Sequence, residues 1–380
     1  MSLLELPLGI WNFFIGTLVP FVFVLSVVVF FHELGHFLVA RWNRVKVEAF
    51  SIGFGPELFG YDDRRGTRWK ISAIPLGGYV KFLGDDDATS RPDHAKLDAM
   101  DAETREGAFE HKAVWRRALV VAAGPIANFI LAIVIYTALF TIHDDVRYAP
   151  VVGSVIEDGA AEAAGIQQGD VIVAIDGRPV SSFADVRYHT SQSADETLTY
   201  TLDRDGKRIE LPVTPRMTER TDPFGNTYKQ GMIGLKLDMS EEHRTVTSLH
   251  PGQAFVKAVD QTWKVVAQTF NFLRELIVGK QDASELRGPI GIGQITSQVA
   301  TIGFAELLGL AAVLSISIGI LNLFPVPMLD GGHLVFYAIE AVRGRKLSER
   351  SQEIAFRVGF ACVLLLMVFA TTNDILRNIS

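Results

Sequence analysis

Residues 31–40 read FHELGHFLVA and directly follow the apolar run LVPFVFVLSVVVF. Positions i and i+4 of a helix share a face, so the imidazoles of His32 and His36 can converge on one ion. Glu33, beside the first of them, can take a proton from a water held by that ion. This is the H-E-x-x-H arrangement of zinc metallohydrolases. In a soluble chain, two helix-facing histidines with a capping glutamate would read equally well. Ionisable groups at the end of an apolar span need partners or a purpose, however, and three so close together mark a functional site.

A catalytic zinc takes three protein ligands and keeps one position open. No third histidine lies near the pair in the sequence. The best remaining ligand is the carboxylate of Asp330, in NLFPVPMLDGGH, which follows a run almost free of charge. His333 is its rival, and reads more simply as a histidine at a helix N-terminus or an interface.

Four apolar segments could carry these groups, at roughly 11–40, 114–140, 304–324 and 354–373. Each reaches the length of about 20 residues that a membrane-spanning helix needs. Gly124 and Pro125 inside the second are tolerable where neighbouring helices satisfy the freed backbone groups. Pro325 and Pro327, at alternate positions, force an extended backbone and end the third span. That frees carbonyls near the metal and lets the Asn322 amide bond to substrate backbone. Asn128 could do similar work or simply satisfy the interrupted helix.

The rest of the composition fits a mosaic of lipid and water. The 380 residues are 48% hydrophobic with a mean hydropathy of +0.23, so several spans and at least one water-exposed domain are expected. A net charge of −7, spread along the chain, gives no reason to expect a nucleic-acid partner. Cys362 is the single cysteine, which excludes an internal disulfide and cysteine-based zinc fingers. The first apolar stretch lacks a basic leader and a small-residue cleavage site, so it reads as retained. Arg41, Arg44 and Lys46 follow span one; Lys112, Arg116 and Arg117 precede span two; Arg343, Arg345, Lys346 and Arg350 separate spans three and four. All three basic clusters fall on one side if both termini and the region 141–303 lie on the other. The HELGH end of span one is then nearer the cytoplasm.

Between the spans the chain changes character. Within 148–216, GAAEAAGIQQGDVIVAIDGRPV resembles a PDZ domain, with a turn at Gly169-Asp170; a generic small β domain is the alternative. PDZ modules bind an extended peptide as an added strand. Residues 217–303 form a connector whose stretch 255–278 has apolar positions at helical spacing. Residues 85–107 are acidic and aperiodic, as in a flexible loop. VKVEAFSIGF, TRWKISAIPL and GGYVKFLG, within 45–83, read as short strands. Gly77 and Gly78 there would let another backbone approach closely; an amphipathic hairpin that only anchors the loop is the alternative. The expected fold is a multi-pass α-helical membrane protein of four spans, with a membrane-associated β-sheet and an inserted α+β PDZ domain. Residues 1–140 and 304–380 form its N- and C-terminal membrane cores.

HELGH, then AGPIANF (Gly124, Pro125, Asn128), then NLFPVPMLDGGH (Asn322 to His333), occurring in this order, resemble the site-2 protease family of intramembrane zinc metalloproteases. PLGGYVKFLGD (residues 75–85) and the PDZ-like insertion are more similar to its RseP branch of bacterial inner-membrane enzymes. That branch often carries two tandem PDZ domains, and one is legible here. The resemblance implies one zinc per chain held by His32, His36 and Asp330, with Glu33 as catalytic base. It implies a membrane-associated sheet that pairs with an extended substrate, and substrate contacts from Asn322, Pro325, Pro327, Asn128, Gly77 and Gly78. The implied partners are the lipid bilayer and a single-span membrane protein already cut in its outer domain, such as an anti-sigma factor, or a signal-peptide remnant. The PDZ domain would take a peptide or substrate ligand. The implied location is the bacterial inner membrane, with termini and PDZ domain periplasmic. A transporter would show internal repeats and more intramembrane carboxylates, and a scaffold would have no use for Glu33.

Overall fold

The computed structural model describes residues 14–85, 97, 99–221, 227–279, 283 and 286–379. They form two compact units, one reaching to Leu139 and resuming at Phe255, the other spanning Phe140–Ala254. Most of the acidic stretch, at 86–96, lies outside the described residues.

The first unit begins with a turn of π-helix at Phe14–Leu18 that runs into helix α1 (Val19–Trp42). Its run of β-branched residues would favour a strand in water. In hydrocarbon a lone segment can satisfy its backbone only as a helix, and Pro20 sits in the first turn, where a missing N–H costs nothing. Asn43 ends the helix by donating to the Val39 carbonyl from both its backbone and its side chain, at 3.0 and 2.9 Å. Arg44 then turns the chain in a left-handed conformation, φ 57°.

Two long strands follow, β1 (Val47–Asp62) and β2 (Arg68–Phe82). Both bend, so the stretch around Phe50 pairs with Val80 on one side and Trp69 on the other, while Trp69 also pairs with Tyr61. The result is four paired segments in the order 78–82, 47–52, 68–71 and 59–62. Three of these match the short strands expected at 45–83. The segment around Tyr61 was not anticipated, because FGPELFGYDD carries two glycines and a proline that read as turn. Phe37, Phe50, Val80, Phe82, Val120 and Tyr337 pack together as the core joining this sheet to the helices.

Helix α2 (Ala102–Glu106), capped by the Asp101 side chain, precedes α3 (Val114–Ile142), which contains Pro125. In the second unit, β3 (Asp145–Tyr148), β4 (Val152–Val155), α4 (Ala160–Ala163), β5 (Val171–Ile175), β6 (Arg178–Pro179), α5 (Phe183–Gln192), β7 (Leu198–Arg204) and β8 (Lys207–Val213) come first. Then follow β9 (Arg216–Thr221), β10 (Thr227–Met232), β11 (Leu235–Leu237) and β12 (Arg244–Thr247). An antiparallel sheet runs β6-β5-β7-β8. Ile172, Ile175, Tyr200 and Leu202 fill its core, and the Tyr200 hydroxyl meets Thr190 Oγ1 at 2.6 Å. The unit is wider than the expected 148–216 because β11 pairs with β4 and β12 with β3. Residues 217–254 therefore complete this unit, and the connector starts only with α6 (Pro251–Val278).

Back in the first unit lie α7 (Pro289–Ile302), α8 (Phe304–Leu323), α9 (Asp330–Arg343) and α10 (Glu349–Ile379). Helix α7 was not foreseen. Its 14 residues are too short for a span and are interrupted by glycine, serine and threonine. It packs through Gly291, Gly293 and Thr296, and the buried Asp374 carboxylate of α10 accepts from the Gly288 and Gly291 amides at 3.1 and 2.8 Å. Among the described residues, four helices are long and apolar enough to cross a membrane: Ile15–Trp42, Val114–Ile142, Phe304–Leu323 and Glu349–Arg377.

One ion pair anchors the second unit. Asp170, in the glycine turn, receives Arg204 Nε and Nη2 at 2.7 Å each and the Gln167 amide at 2.8 Å. Burial opposes ionisation of this carboxyl, but Arg204 and the Gln167 amide outweigh it and hold the carboxyl below its ordinary range. Its contribution is thus present above the ordinary carboxylate pKa and is lost as pH falls through the lowered folded value. Arg204→Ala should destabilise this unit, because it leaves the buried Asp170 carboxylate without its charged partner. Hydrogen exchange of β5 and β7 in the full chain at neutral pH should show the loss, and unchanged protection would refute it.

Candidate active site

Helix α1 presents His32 and His36 one turn apart on its buried face. Two glycines let α3 come close enough to support them. A Cβ on Gly35 would lie 2.3 Å from the Ala123 carbonyl oxygen, and one on Gly124 would lie 2.2 Å from His36 Nε2 and 2.9 Å from His32 Cε1. Gly124 is thus the floor of a cradle for both rings. His36 Nδ1 lies 2.9 Å from the Val120 carbonyl oxygen. A carbonyl only accepts, so Nδ1 carries the proton and Nε2 keeps its lone pair.

Asn128 plays the matching part for His32. It is fully buried, and its amide lies 3.2 Å from His32 Nδ1. The atom nearest the ring is Nδ2, and Oδ1 has no hydrogen-bond partner. With that oxygen turned to Nδ1, the amide accepts the imidazole proton and leaves Nε2 of His32 as a lone pair too. Ser315 of α8 donates to the Asn128 backbone carbonyl at 2.9 Å, steadying the residue from the far side. The expected substrate contact at Asn128 is therefore corrected: with no exposed surface it can hold His32 but cannot reach a substrate.

Asp330 arrives from the other end of the sequence. Helix α8 stops at Leu323, and Phe324 turns to extended backbone with ψ 145° ahead of Pro325. The loop folds tightly onto the first turn of α9. A Cβ on Gly331 would sit 2.2 Å from the Phe324 carbonyl oxygen, and one on Gly332 would sit 2.4 Å from that of Val326. Gly359 of α10 comes equally close to the Pro327 carbonyl. Met328, two residues before the aspartate, has φ 101°, a conformation that is strained for any side chain. Pro325 is exposed and Pro327 is pinned under α10, so both shape the loop, and neither lines the cavity described below.

The loop places Asp330 Oδ2 3.2 Å from His32 Nε2 and 3.5 Å from His36 Nε2, while the two Nε2 atoms are 3.2 Å apart. Zinc bonds of about 2.0–2.1 Å in tetrahedral geometry put ligand atoms about 3.3 Å from one another. Asp330 Oδ2 is buried and makes no hydrogen bond. Three electron-rich atoms facing each other at such distances repel unless a cation lies between them. The residues present fit the metal. His333, the rival ligand, instead packs its ring against Phe356 at 5.4 Å between centroids, and also against Phe336 and Tyr337.

A cavity of about 290 Å³ opens beside the three atoms, lined among others by Glu33, Gly78, Tyr79, Asn322, Met328 and His333. Gly78 is needed there, since a Cβ would lie 3.0 Å from Glu33 Cγ and 2.8 Å from the Ser51 carbonyl oxygen. Gly77 has φ 130°, and a Cβ on it would strike the Phe54 ring at 2.5 Å. The outer sheet segment 78–82 thus passes directly by the glutamate. Glu33, Gly78 and Asn322 all reach this cavity, whereas Gly77 supports its wall. The roles of Gly35, Gly331, Gly332 and Met328 were missed in the sequence, although the doubled glycine after Asp330 was a visible sign of close packing.

The sequence pattern of peptidase family M50 matches residues 20–366. The chain belongs to this family, that of the site-2 proteases. A relative bearing the zinc metalloprotease name in Agrobacterium fabrum is 50% identical over 364 residues, covering 96% of this chain and 97% of its own. One so named in Rhizobium meliloti is 49% identical over 359 residues, with 94% and 96% covered. Metalloprotease MmpA of Caulobacter vibrioides is 40% identical over 386 residues, covering 96% of each. The protein is a zinc-dependent metalloendopeptidase of the membrane.

Two substitutions in the protease test the cradle. Gly124→Ala should drive the new methyl into His36 and abolish stoichiometric zinc. Asn128→Ala should weaken zinc about 10–100-fold, while Asn128→Asp, which still accepts from Nδ1, should restore most of it. Competition against a chelator measures both. Unaltered zinc affinity in Asn128→Ala would refute the positioning role.

Proposed function

We propose that this protease is an intramembrane endopeptidase of the RseP-like branch that cuts single-span membrane proteins at a locally unwound peptide bond. The observation that carries the reading is that three lone-pair atoms, Glu33 and the outer segment of β2 all meet one cavity next to membrane-spanning helices. His32, His36 and Asp330 would hold one zinc, which when bound polarises a carbonyl and makes water more acidic. Glu33, beside His32, accepts a proton from the attacking water on its carboxylate and returns it to the leaving amine. Unpaired backbone groups of a substrate helix cost several kcal/mol each in lipid, so unwinding needs replacement partners. The Gly78–Val80 backbone can pair with the extended segment as an added strand, and the Asn322 amide can hold a further peptide group. Gly77 and Gly78 keep that edge clear of side chains.

The remaining parts of the reading rest on pattern. The helix–turn–strand sequence around Gly169-Asp170 and the sheet β6-β5-β7-β8 support a single PDZ-like module that takes a peptide or substrate ligand. The basic clusters support a bacterial inner-membrane location, with termini and this module outside and the active site toward the cytoplasm. Suitable substrates are single-span proteins already trimmed outside, of the anti-sigma factor kind, and signal-peptide remnants.

Glu33→Gln decides the mechanism. The variant should keep its zinc and lose cleavage of transmembrane peptides by about 10²–10⁴-fold. Near wild-type cleavage would refute the base, and wild type without stoichiometric zinc would refute the metal site. For orientation, a reporter fused after Ile142 should face outward and one within 343–350 inward; the reverse would overturn the placement.

A further inference from the structure

A second cleft lies away from the active site, where α1 ends and α3 begins. It has a volume of about 420 Å³ and is lined by Trp42, Asn43, Arg44, Trp115, Arg116 and Leu119. Trp42 closes one membrane-crossing helix and Trp115 lies one residue into the next, so the cleft sits at the boundary of the apolar zone. Trp42 is 82% exposed and Trp115 55%. Indole rings turned outward at the end of a span are the ordinary signature of a membrane–water interface.

The charges in this cleft are unbalanced. Nearby Arg41 is ion-paired with Asp63, and Arg117 is paired with Glu340 at 2.5 Å. Arg44 and Arg116 have no such partner among the described residues; Arg116 lies over the Trp115 ring at 5.1 Å. Lys112 adds a third cation beside them. Burial and then Arg116 push its ammonium below the ordinary value; Glu106 partly offsets this, and Arg44 adds to the effect. Arg44 also occupies a left-handed position at a helix end, φ 57°, where glycine is the usual residue. Arg44 and Arg116 line the same cleft, and two unpaired guanidinium groups sharing a cleft suit an anion between them.

We propose that this cleft binds the phosphate headgroup of an anionic membrane phospholipid. The two guanidinium groups are the donors to phosphate, the Asn43 region and the helix α3 terminus frame it, and the two indoles rest on the acyl–headgroup boundary. A lipid is favoured over a free anion because the aromatic and aliphatic part of the lining faces outward at the membrane boundary. The site does not depend on the proteolytic mechanism.

The test uses the full chain, delipidated in detergent, with zinc content as the measure of intact folding. Binding is read by native mass spectrometry with phosphatidylglycerol, phosphatidylcholine and inorganic phosphate as the three probes. Wild type should retain phosphatidylglycerol preferentially, and R44Q/R116Q should bind it about thirtyfold more weakly, while R44K/R116K stays close to wild type. Equal phosphatidylglycerol binding by wild type and R44Q/R116Q would overturn the proposal, as would phosphate competing as well as the lipid. A measurement without any variant guards against misfolding. Phosphatidylglycerol vesicles, and not phosphatidylcholine vesicles, should protect Arg44 and Arg116 from arginine-specific labelling; equal labelling in both would also overturn it.

Discussion

Everything in the membrane unit is arranged around the mutual repulsion of three lone-pair atoms in an apolar setting. His32 Nε2, His36 Nε2 and Asp330 Oδ2 lie 3.2–3.5 Å apart. Without a cation such a cluster would cost several kcal/mol in desolvation and repulsion, which a bound metal would relieve and a scaffold that holds the ligands in place must offset. The Val120 carbonyl and the Asn128 amide decide which nitrogen of each ring faces inward. Metal affinity is thereby set partly by α3, which supplies no ligand itself.

Holding those atoms together requires unusually close backbone packing, and glycine provides it at each contact. Gly35 and Gly124 bring α1 and α3 together, and Gly331 and Gly332 fold α9 back onto its own approach loop. Gly78 lets a sheet segment run past Glu33. In each case a single methyl group would meet a backbone oxygen, a histidine ring or the Glu33 side chain. The same feature joins stability to function, because the contacts that close the core also shape the cavity. The strain at Met328 fits this picture: its φ of 101° is tolerated because the loop is fixed by the glycines on one side and by α10 on the other.

The second unit is stabilised by different means. Its core is a soluble-type cluster around Tyr200, and the Asp170–Arg204 pair ties the glycine turn to β7. This unit needs no lipid to satisfy its backbone, which explains why its strands alternate with turns while the other unit is built on long helices.

Much of this was legible in the residues alone. The four long helices follow from apolar length, the paired histidines from their spacing of four, and Asp330 from being a charge beside an apolar run. Those signals are local, and in lipid the physics is restrictive enough for local patterns to determine structure. Other features depended on distant partners. The fourth sheet segment, helix α7, the pairing of β11 and β12 with β4 and β3, and the role of Asn128 all arise from contacts between residues far apart in the chain. A short, glycine-broken helix such as α7 has no distinctive periodicity, and an amide in an apolar helix does not show which atom it will meet. The sequence by itself determined which groups were available for chemistry and which segments are long and apolar enough to cross a membrane. Only the tertiary structure decided which ring nitrogens turn toward Asp330 and which residues line the cavity, because those outcomes depend on packing distances of a few ångströms that no local pattern encodes.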